Sequence, residues 1–365
     1  MSTNKYYSSK KIRKLGAIYN MIIGQRSNGK TYDWKQNALE DYRDKKSRSA
    51  YIRRFDTEIA PKNLSTLFDS NDIEKIFNGK WNAVDYKKHQ FTLCVKIDGE
   101  IVMKDEEPFC DVYALNTWEA SKGADRGYVS SICFDEFMTR RAYLTDEFVI
   151  FQNVLSSIIR DREDVTIFML ANTVNKYCPY FKEMGLTRVE NMQPGDIDLY
   201  SFGETGLTVA VEMCAESKNT QKVKKFYAFD NPQLDMITKG TWEVALYPHS
   251  PCKFTKKEIL KRFYIIFNNK IIAGDIVKTD EKFFIFYHLH TGRKPPDEEW
   301  NDYLKNEIVY LEQNDGYFLH QKYLNDAPTE YHQLINKMIR MEREFFSDNQ
   351  IGEIIRNWKL NSLSR

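Results

Sequence analysis

MIIGQRSNGKT, residues 21–31, is the stretch whose reading decides the fold. A short apolar, partly β-branched run, Ala17–Ile23, enters a loop bracketed by Gly24 and Gly29 and closed by Lys30-Thr31. This is the pattern GxxxxGK[ST] of a phosphate-binding loop. The run before it reads as a buried strand, and Lys30 to about Asp44 reads as a helix, which is the context the mechanism needs. Glycines let the backbone wrap phosphate oxygens where a Cβ would clash. The N–H groups of Gln25, Arg26, Ser27 and Asn28 and the helix N-terminus then face the anion. Lys30 reaches the β and γ phosphates of a bound ATP, and Thr31 ligates Mg²⁺. The competing reading is a plain glycine turn. Four fixed positions match by chance in a chain this long on the order of 1% of the time.

A P-loop enzyme needs a second strand that delivers an acid to the Mg²⁺ shell. Tyr128–Phe134 followed by Asp135-Glu136 supplies one. Asp135 is the candidate metal ligand, and Glu136 the candidate general base that polarises the attacking water. No NKxD guanine motif is present, which points to ATP over GTP. Another strand ends in Ala171-Asn172, where the amide either senses the γ-phosphate or simply forms a turn. Arg160 and Arg162, in IIRDRED, either reach a neighbouring subunit's γ-phosphate or form a solvated basic face. Arg26 places a cation inside the loop, which ordinary P-loops do not require.

Working outward, Ala50–Arg54, Tyr128–Phe134 and Val165–Ala171 read as strands, and Glu147–Arg160 as a helix. TLCVKIDGEIVMK reads as a hairpin turning at Asp98-Gly99. Strands alternating with helices predict an α/β fold with a mostly parallel sheet. Residues 1–14 are polar and basic and read as an arm, residues 15–185 as the P-loop domain. Residues 186–240, rich in Gly, Asn, Thr and Lys, read as a linker region. Residues 241–365 read as a smaller α+β domain, with strands over Phe263–Asn268, Ile271–Val277 and Lys282–His290 and helical spacing in Tyr331–Phe345.

Composition narrows the classes. The chain has 365 residues, 42% apolar and 14% aromatic, which supports packed cores and argues against disorder. A formal net charge of +1 excludes a global basic field, so nucleic acid must be met by local patches. Six scattered cysteines without a CxxC pair argue against zinc and suit a reducing compartment. MSTNKYYSSKKIRK has no apolar core of a signal peptide, and no run nears the roughly 18 residues of a membrane span. These features predict a soluble cytoplasmic protein with no membrane contact.

GQRSNGKT, YIRRF (51–55), ICFDEF (132–137) and IIRDREDVTIFMLANTVNKYCPYF (158–181), in this order, resemble the DNA-encapsidation ATPases of small Picovirinae-type podophages. These belong to the ASCE P-loop class related to the large terminases. The resemblance covers roughly residues 15–185, and Arg26 matches an arginine recurrent in packaging motors. It implies a ring-forming motor, pentameric in the family, that drives double-stranded DNA into a preformed prohead. Lys30, Thr31, Asp135 and Glu136 then take the Walker A and B roles, and Arg160 is the arginine supplied in trans. It also implies docking on the portal, with or without a packaging RNA, transient residence on the prohead in the host cytoplasm, and absence from the mature virion. The C-terminal domain is expected to be RNase H-like. Its first strand carries Asn268 and Asn269 where a nuclease needs Asp, and Asp275 lies on the second strand, so the domain is expected to be nuclease-dead unless Asp275 and Glu281 converge with a later acid.

Such a motor must accept any sequence, so its DNA contacts are to phosphate. The candidates are Arg53, Arg54, Lys122, Arg126, Lys218, Lys222, Lys224 and Lys225, each of which could equally be solvated surface. Arg53 and Arg54 could also serve structure near the nucleotide. Other readings of the motifs are a helicase, a small-molecule kinase, or a nucleotide-gated nucleic-acid binding protein. The absence of an arginine-bearing lid argues against the kinase.

Overall fold

The computed structural model describes residues 6–121, 127–141, 143–173, 175, 177–215, 245–267, 270–291, 308–310 and 329–363. Two units are present: Met1–Arg140 with Asp146–Glu243, and Arg141–Thr145 with Val244–Arg365. No helix among the described residues is long and apolar enough to cross a membrane.

The first unit is built on a ten-stranded sheet. Its centre is six parallel strands in the order β6 (Cys110–Ala114), β2 (Arg48–Arg53), β7 (Val129–Asp135), β8 (Thr166–Asn172), β1 (Tyr19–Gly24) and β10 (Leu207–Met213). Such strands are covered on both faces, and β1, β6 and β7 are near-continuously buried, as parallel strands must be. Antiparallel strands finish each end. One end carries β9 (Ile197–Phe202) against β10. The other carries β4 (Gln90–Ile97), flanked by β3 (Ala83–Lys87) and β5 (Glu100–Lys104). Asp98 and Gly99 turn the β4–β5 hairpin with φ of 51° and 87°, the paired positive angles of a two-residue hairpin loop.

Side-chain alternation sorts the two faces. On β7, Ser131, Cys133 and Asp135 face α2 (Lys30–Lys45), where Trp34 Nε1 donates to Ser131 Oγ at 3.1 Å and the Trp34 ring meets Tyr51. Phe134 faces the other way, against Phe151 of α5 (Glu147–Ile159) and Tyr180 of α6 (Pro179–Glu183). The sheet is therefore a filling between α2 and α5–α6, with its strand ends left at the edges, while the short helices α3 (Pro61–Leu64) and α4 (Ile73–Ile76) come between β2 and β3 in the chain.

Two sequence expectations fail here. Residues 186–240 are not simply a linker: β9 and β10 lie within them, and β10 completes the sheet beside β1, pairing Tyr19 with Val209 through Ile23 with Met213. Nor are residues 6–14 a free arm. Lys10–Arg13 form a short helix, α1, Ile12 is fully buried in the core with Trp34 and Ala38, and Ser9 is buried. An apolar side chain in a basic stretch is enough to anchor it.

The second unit has a five-stranded sheet. Strands β11 (Ile259–Phe267), β12 (Lys270–Lys278) and β13 (Phe283–Leu289) form an antiparallel meander. The edges are β14 (Ile308–Tyr310), parallel to β11, and β15 (Glu344–Phe346), parallel to β13. Helices α7 (Glu330–Arg340) and α8 (Asn349–Leu363) accompany them, and Phe263, Ile265, Tyr287, Ile335, Ile355 and Trp358 are buried as its core.

Candidate nucleotide-binding site

Strands β1, β7 and β8 end side by side, which gathers the P-loop, Asp135 and Asn172 at one sheet edge, where ligands of open α/β sheets bind. Gly24 is the last residue of β1, and a Cβ there would come within 2.6 Å of the Cβ of Cys214, the residue that follows β10. Ser27 and Gly29 take left-handed backbone, with φ of 57° and 101°, to turn the loop into α2. Arg26 and Ser27 are exposed at the crest, whereas Gln25 and Asn28 are buried.

Lys30 lies across the loop. Its amine donates to Gln25 O at 2.7 Å, Gly24 O at 3.3 Å, Asn28 Oδ1 at 3.2 Å and Asn172 Oδ1 at 3.3 Å. Burial pulls its pKa down to about 8, against the opposing pull of the Asp135 and Glu136 carboxylates. The Thr31 hydroxyl donates to both Asp135 oxygens, at 3.3 and 3.2 Å, and Tyr51 donates to Oδ2 at 2.8 Å. A threonine hydroxyl converging with a carboxylate is a hard-oxygen donor set of the kind Mg²⁺ prefers. Glu136 follows with φ of 58°, its N–H on Asp135 Oδ1. Its own carboxylate is engaged: Arg53 Nη2 donates to Oε2 at 2.7 Å and to Glu58 Oε1 at 2.9 Å.

Residues 1–225, well over half of the chain, match the family model described as "Podovirus DNA encapsidation protein (Gp16)". The chain belongs to the podovirus Gp16 DNA encapsidation family. Among its curated relatives, the DNA packaging protein of Bacillus phage B103 is 28% identical over 172 residues, 46% of this chain and 48% of that one. That of Bacillus phage phi29 is 27% identical over 184 residues, 50% of each. The chain thus spans about half the length of the curated relatives it matches. Among solved structures, the phi29 viral genome packaging motor assembly aligns over 99% of this chain and 100% of that one, with TM-score 0.52 and 19% identity. The Phi-28 gp11 DNA packaging motor aligns over 99% and 98%, with TM-score 0.52 and 16% identity. These likenesses concern the fold.

Two of the expected DNA contacts in this Gp16-family chain are spoken for. Arg54 is buried: it clamps Glu147 at 2.8 and 3.0 Å and holds the carbonyls of Glu136 and Phe137 at 3.2 and 2.5 Å. A guanidinium enclosed in this way cannot reach a phosphate on a DNA surface. Arg53 is paired with two carboxylates at the site itself, as the reading that gives it a place near the nucleotide expects. Lys122, Arg126, Lys218, Lys222, Lys224 and Lys225 lie outside the described residues, as do Asn268 and Asn269.

Arg160 is not brought to the site. Helix α5 starts beside the site, where Glu147 meets Arg54, and runs back for about 20 Å. Arg160 caps its far end, exposed, and the adjoining Arg162 bonds Gly127 O just before β7 begins. The arginine therefore sits at the opposite sheet edge from its own Lys30. The spacing of β2 contained a signal that sequence reasoning passed over. Tyr51 and Arg53 alternate onto one face, and the register with β7 aligns that face with Cys133 and Asp135.

In the second unit, Asp275 is saturated. Arg262 grips it at 2.6 and 2.9 Å and His288 lies 3.3 Å away. Burial opposes, but these hydrogen bonds hold its pKa below the ordinary carboxylate value. Among the described residues no three His, Cys, Asp or Glu side chains gather as a metal site.

Proposed function

We propose that this chain is an ATP-driven double-stranded DNA translocase that packs a viral genome into a preformed prohead. The observation that carries the reading is the Thr31–Asp135 contact at 3.2 Å, with Glu136 beside it, at the edge where the P-loop ends β1. Lys30 moves its donors from loop carbonyls to the β and γ phosphates, and Arg26 and Asn172 flank the γ-phosphate. Gly24 to Thr31 wrap the anion with backbone N–H groups. Thr31 and Asp135 hold Mg²⁺, which when bound draws charge from the phosphate oxygens. Glu136, once Arg53 releases it, accepts the proton of the attacking water. Arg160 completes the site of another copy, since its place at the opposite sheet edge keeps it from its own. This favours a homo-oligomeric ring, five-membered by family resemblance, docked on the portal with or without a packaging RNA. The second unit serves as an RNase H-like, nuclease-dead module, in keeping with the neutralised Asp275.

The test is steady-state ATP hydrolysis with and without double-stranded DNA and proheads, for wild type, Glu136→Ala and Arg160→Ala. Turnover is expected to rise with DNA and proheads and to vanish in both variants. Mixing the two variants is expected to restore part of it, because one supplies the arginine and the other the glutamate. Wild type that binds ATP but never hydrolyses it, even with DNA and proheads, would overturn the motor reading in favour of a nucleotide-gated binding protein.

A further inference from the structure

We infer that the segment before β1 is a brace for the phosphate loop, with Tyr7 as its positioning residue. This rests on the reading of Gly24–Thr31 as the nucleotide site. Tyr7 N donates to Asn28 O at 2.9 Å. At its other end the Tyr7 hydroxyl donates to Glu212 Oε2, on β10, at 2.7 Å. Tyr6 packs against Gly29, where an added Cβ would lie 3.3 Å from the Tyr6 Cβ. One step on, Ser9 N donates to Asp33 Oδ2 at 3.1 Å in the first turn of α2. The segment therefore touches the last turn of the loop, the helix that follows it and the strand beside it.

Asn28 makes the connection functional. Its side-chain Oδ1 accepts from both the backbone N and the amine of Lys30, each at 3.2 Å. Three separate hydrogen bonds, joined through the covalent frames of Tyr7 and Asn28, thus link Glu212 on a sheet strand to the lysine that meets the phosphates. Burial raises the Glu212 pKa while the Tyr7 hydroxyl works against that rise, so the bond also supplies a buried carboxylate with a donor. Whatever order a phosphate loop lacks before binding must be supplied by the ligand at a cost in affinity. The brace supplies that order in advance. Its contribution falls on nucleotide binding and not on the chemical step, because its contacts run to the phosphate loop and the start of α2, while Glu136 is held by Arg53.

The experiment titrates the full chain with a non-hydrolysable Mg-ATP analogue, alongside the KM and kcat of stimulated hydrolysis. Tyr7→Phe removes only the hydroxyl and keeps the ring. Loss of a hydrogen bond to a charged acceptor is expected to raise Kd and KM about tenfold, or about 1.4 kcal/mol, with kcat unchanged. Glu212→Ala is expected to match it, the double variant to add nothing further, and Glu212→Gln, which keeps an acceptor, to retain most of the affinity. A Tyr7→Phe variant that melts lower but binds as wild type does would reduce the segment to a fold element and overturn the proposal. Additive effects of the two single substitutions would overturn it as well. If wild type itself does not bind the analogue, the nucleotide-site reading falls, and the brace with it.

Discussion

Arg54→Met is the most informative single substitution in the first unit. The Arg54 and Glu147 side chains are 5% and 1% exposed, so the pair is desolvated. Glu147 also accepts from the Tyr180 hydroxyl at 2.9 Å, but a neutral donor does not replace the guanidinium beside a buried charge. Removing one partner of such a pair costs about 3–5 kcal/mol, since the other is left uncompensated. Two backbone carbonyls, of Glu136 and Phe137, lose their donor too. For a unit of this size each kcal/mol is worth about 2–4 °C, so the melting temperature is expected to fall by roughly 6–20 °C. Denaturant unfolding followed by aromatic fluorescence gives the free energy, and melting gives the shift. The double variant Arg54→Met/Glu147→Leu removes both charges and is expected to recover most of the loss, while Glu147→Gln alone remains costly. A DNA-contacting arginine behaves otherwise: its loss lowers the salt slope of DNA affinity by about 1 and leaves stability nearly unchanged. A stability loss below about 1 kcal/mol, together with a reduced salt slope, would refute the buried-pair reasoning.

Arg53→Gln removes the charge that holds Glu136 and is expected to raise ATP turnover measured without DNA; unchanged or lower turnover shows that the pair does not restrain the base. Gly24→Ala is expected to abolish binding of a Mg-ATP analogue by pushing the loop off Cys214, and Cys214→Gly in the same chain to restore part of it, read by equilibrium titration. Burial lowers the Lys35 pKa to about 8, its amine bonding Ser70 Oγ at 2.9 Å and Leu67 O. The folded state therefore binds fewer protons than the unfolded state between pH 8 and the unfolded value of 10.5, and this group's contribution makes stability rise with pH across that window. Lys35→Met removes the contribution. The wild-type minus variant difference in unfolding free energy is expected to climb from pH 8 to 9.5 by about 1–2 kcal/mol, and a flat difference contradicts the shift.

The site was legible where its signals are local. The P-loop and the Asp135-Glu136 strand end are short motifs whose flanking strands and helix carry their own periodicity, and the structure brings Lys30, Thr31, Asp135 and Asn172 together. What was lost depends on distance in the chain. β10 is itself an apolar, β-branched run, LTVAVEM, but it sits among Gly, Asn and Lys, and its partner Tyr19 lies far upstream. Composition averaged over 186–240 hides it. Arg53 and Arg54 illustrate a second limit. Arg53 ends the strand and Arg54 leaves it, and only the tertiary partners decide that one meets Glu136 and the other is enclosed with Glu147. The N-terminal segment shows a third: charge density suggested an arm, while one isoleucine and one tyrosine determined its place.

The insertion of β1 between β8 and β10 has a consequence for how the protein is made. Ile18 and Thr208, which meet at the start of these two strands, are 190 residues apart. At about 5–20 residues per second, a ribosome takes roughly 10–40 s to bridge that interval. Throughout it, one edge of the strand that carries the phosphate loop has no partner strand. That edge is apolar and can pair with any other chain, which makes the nascent protein a natural client for chaperones. The strand that carries the phosphate loop thus gains its last neighbour late in synthesis, only after Met213 has left the exit tunnel.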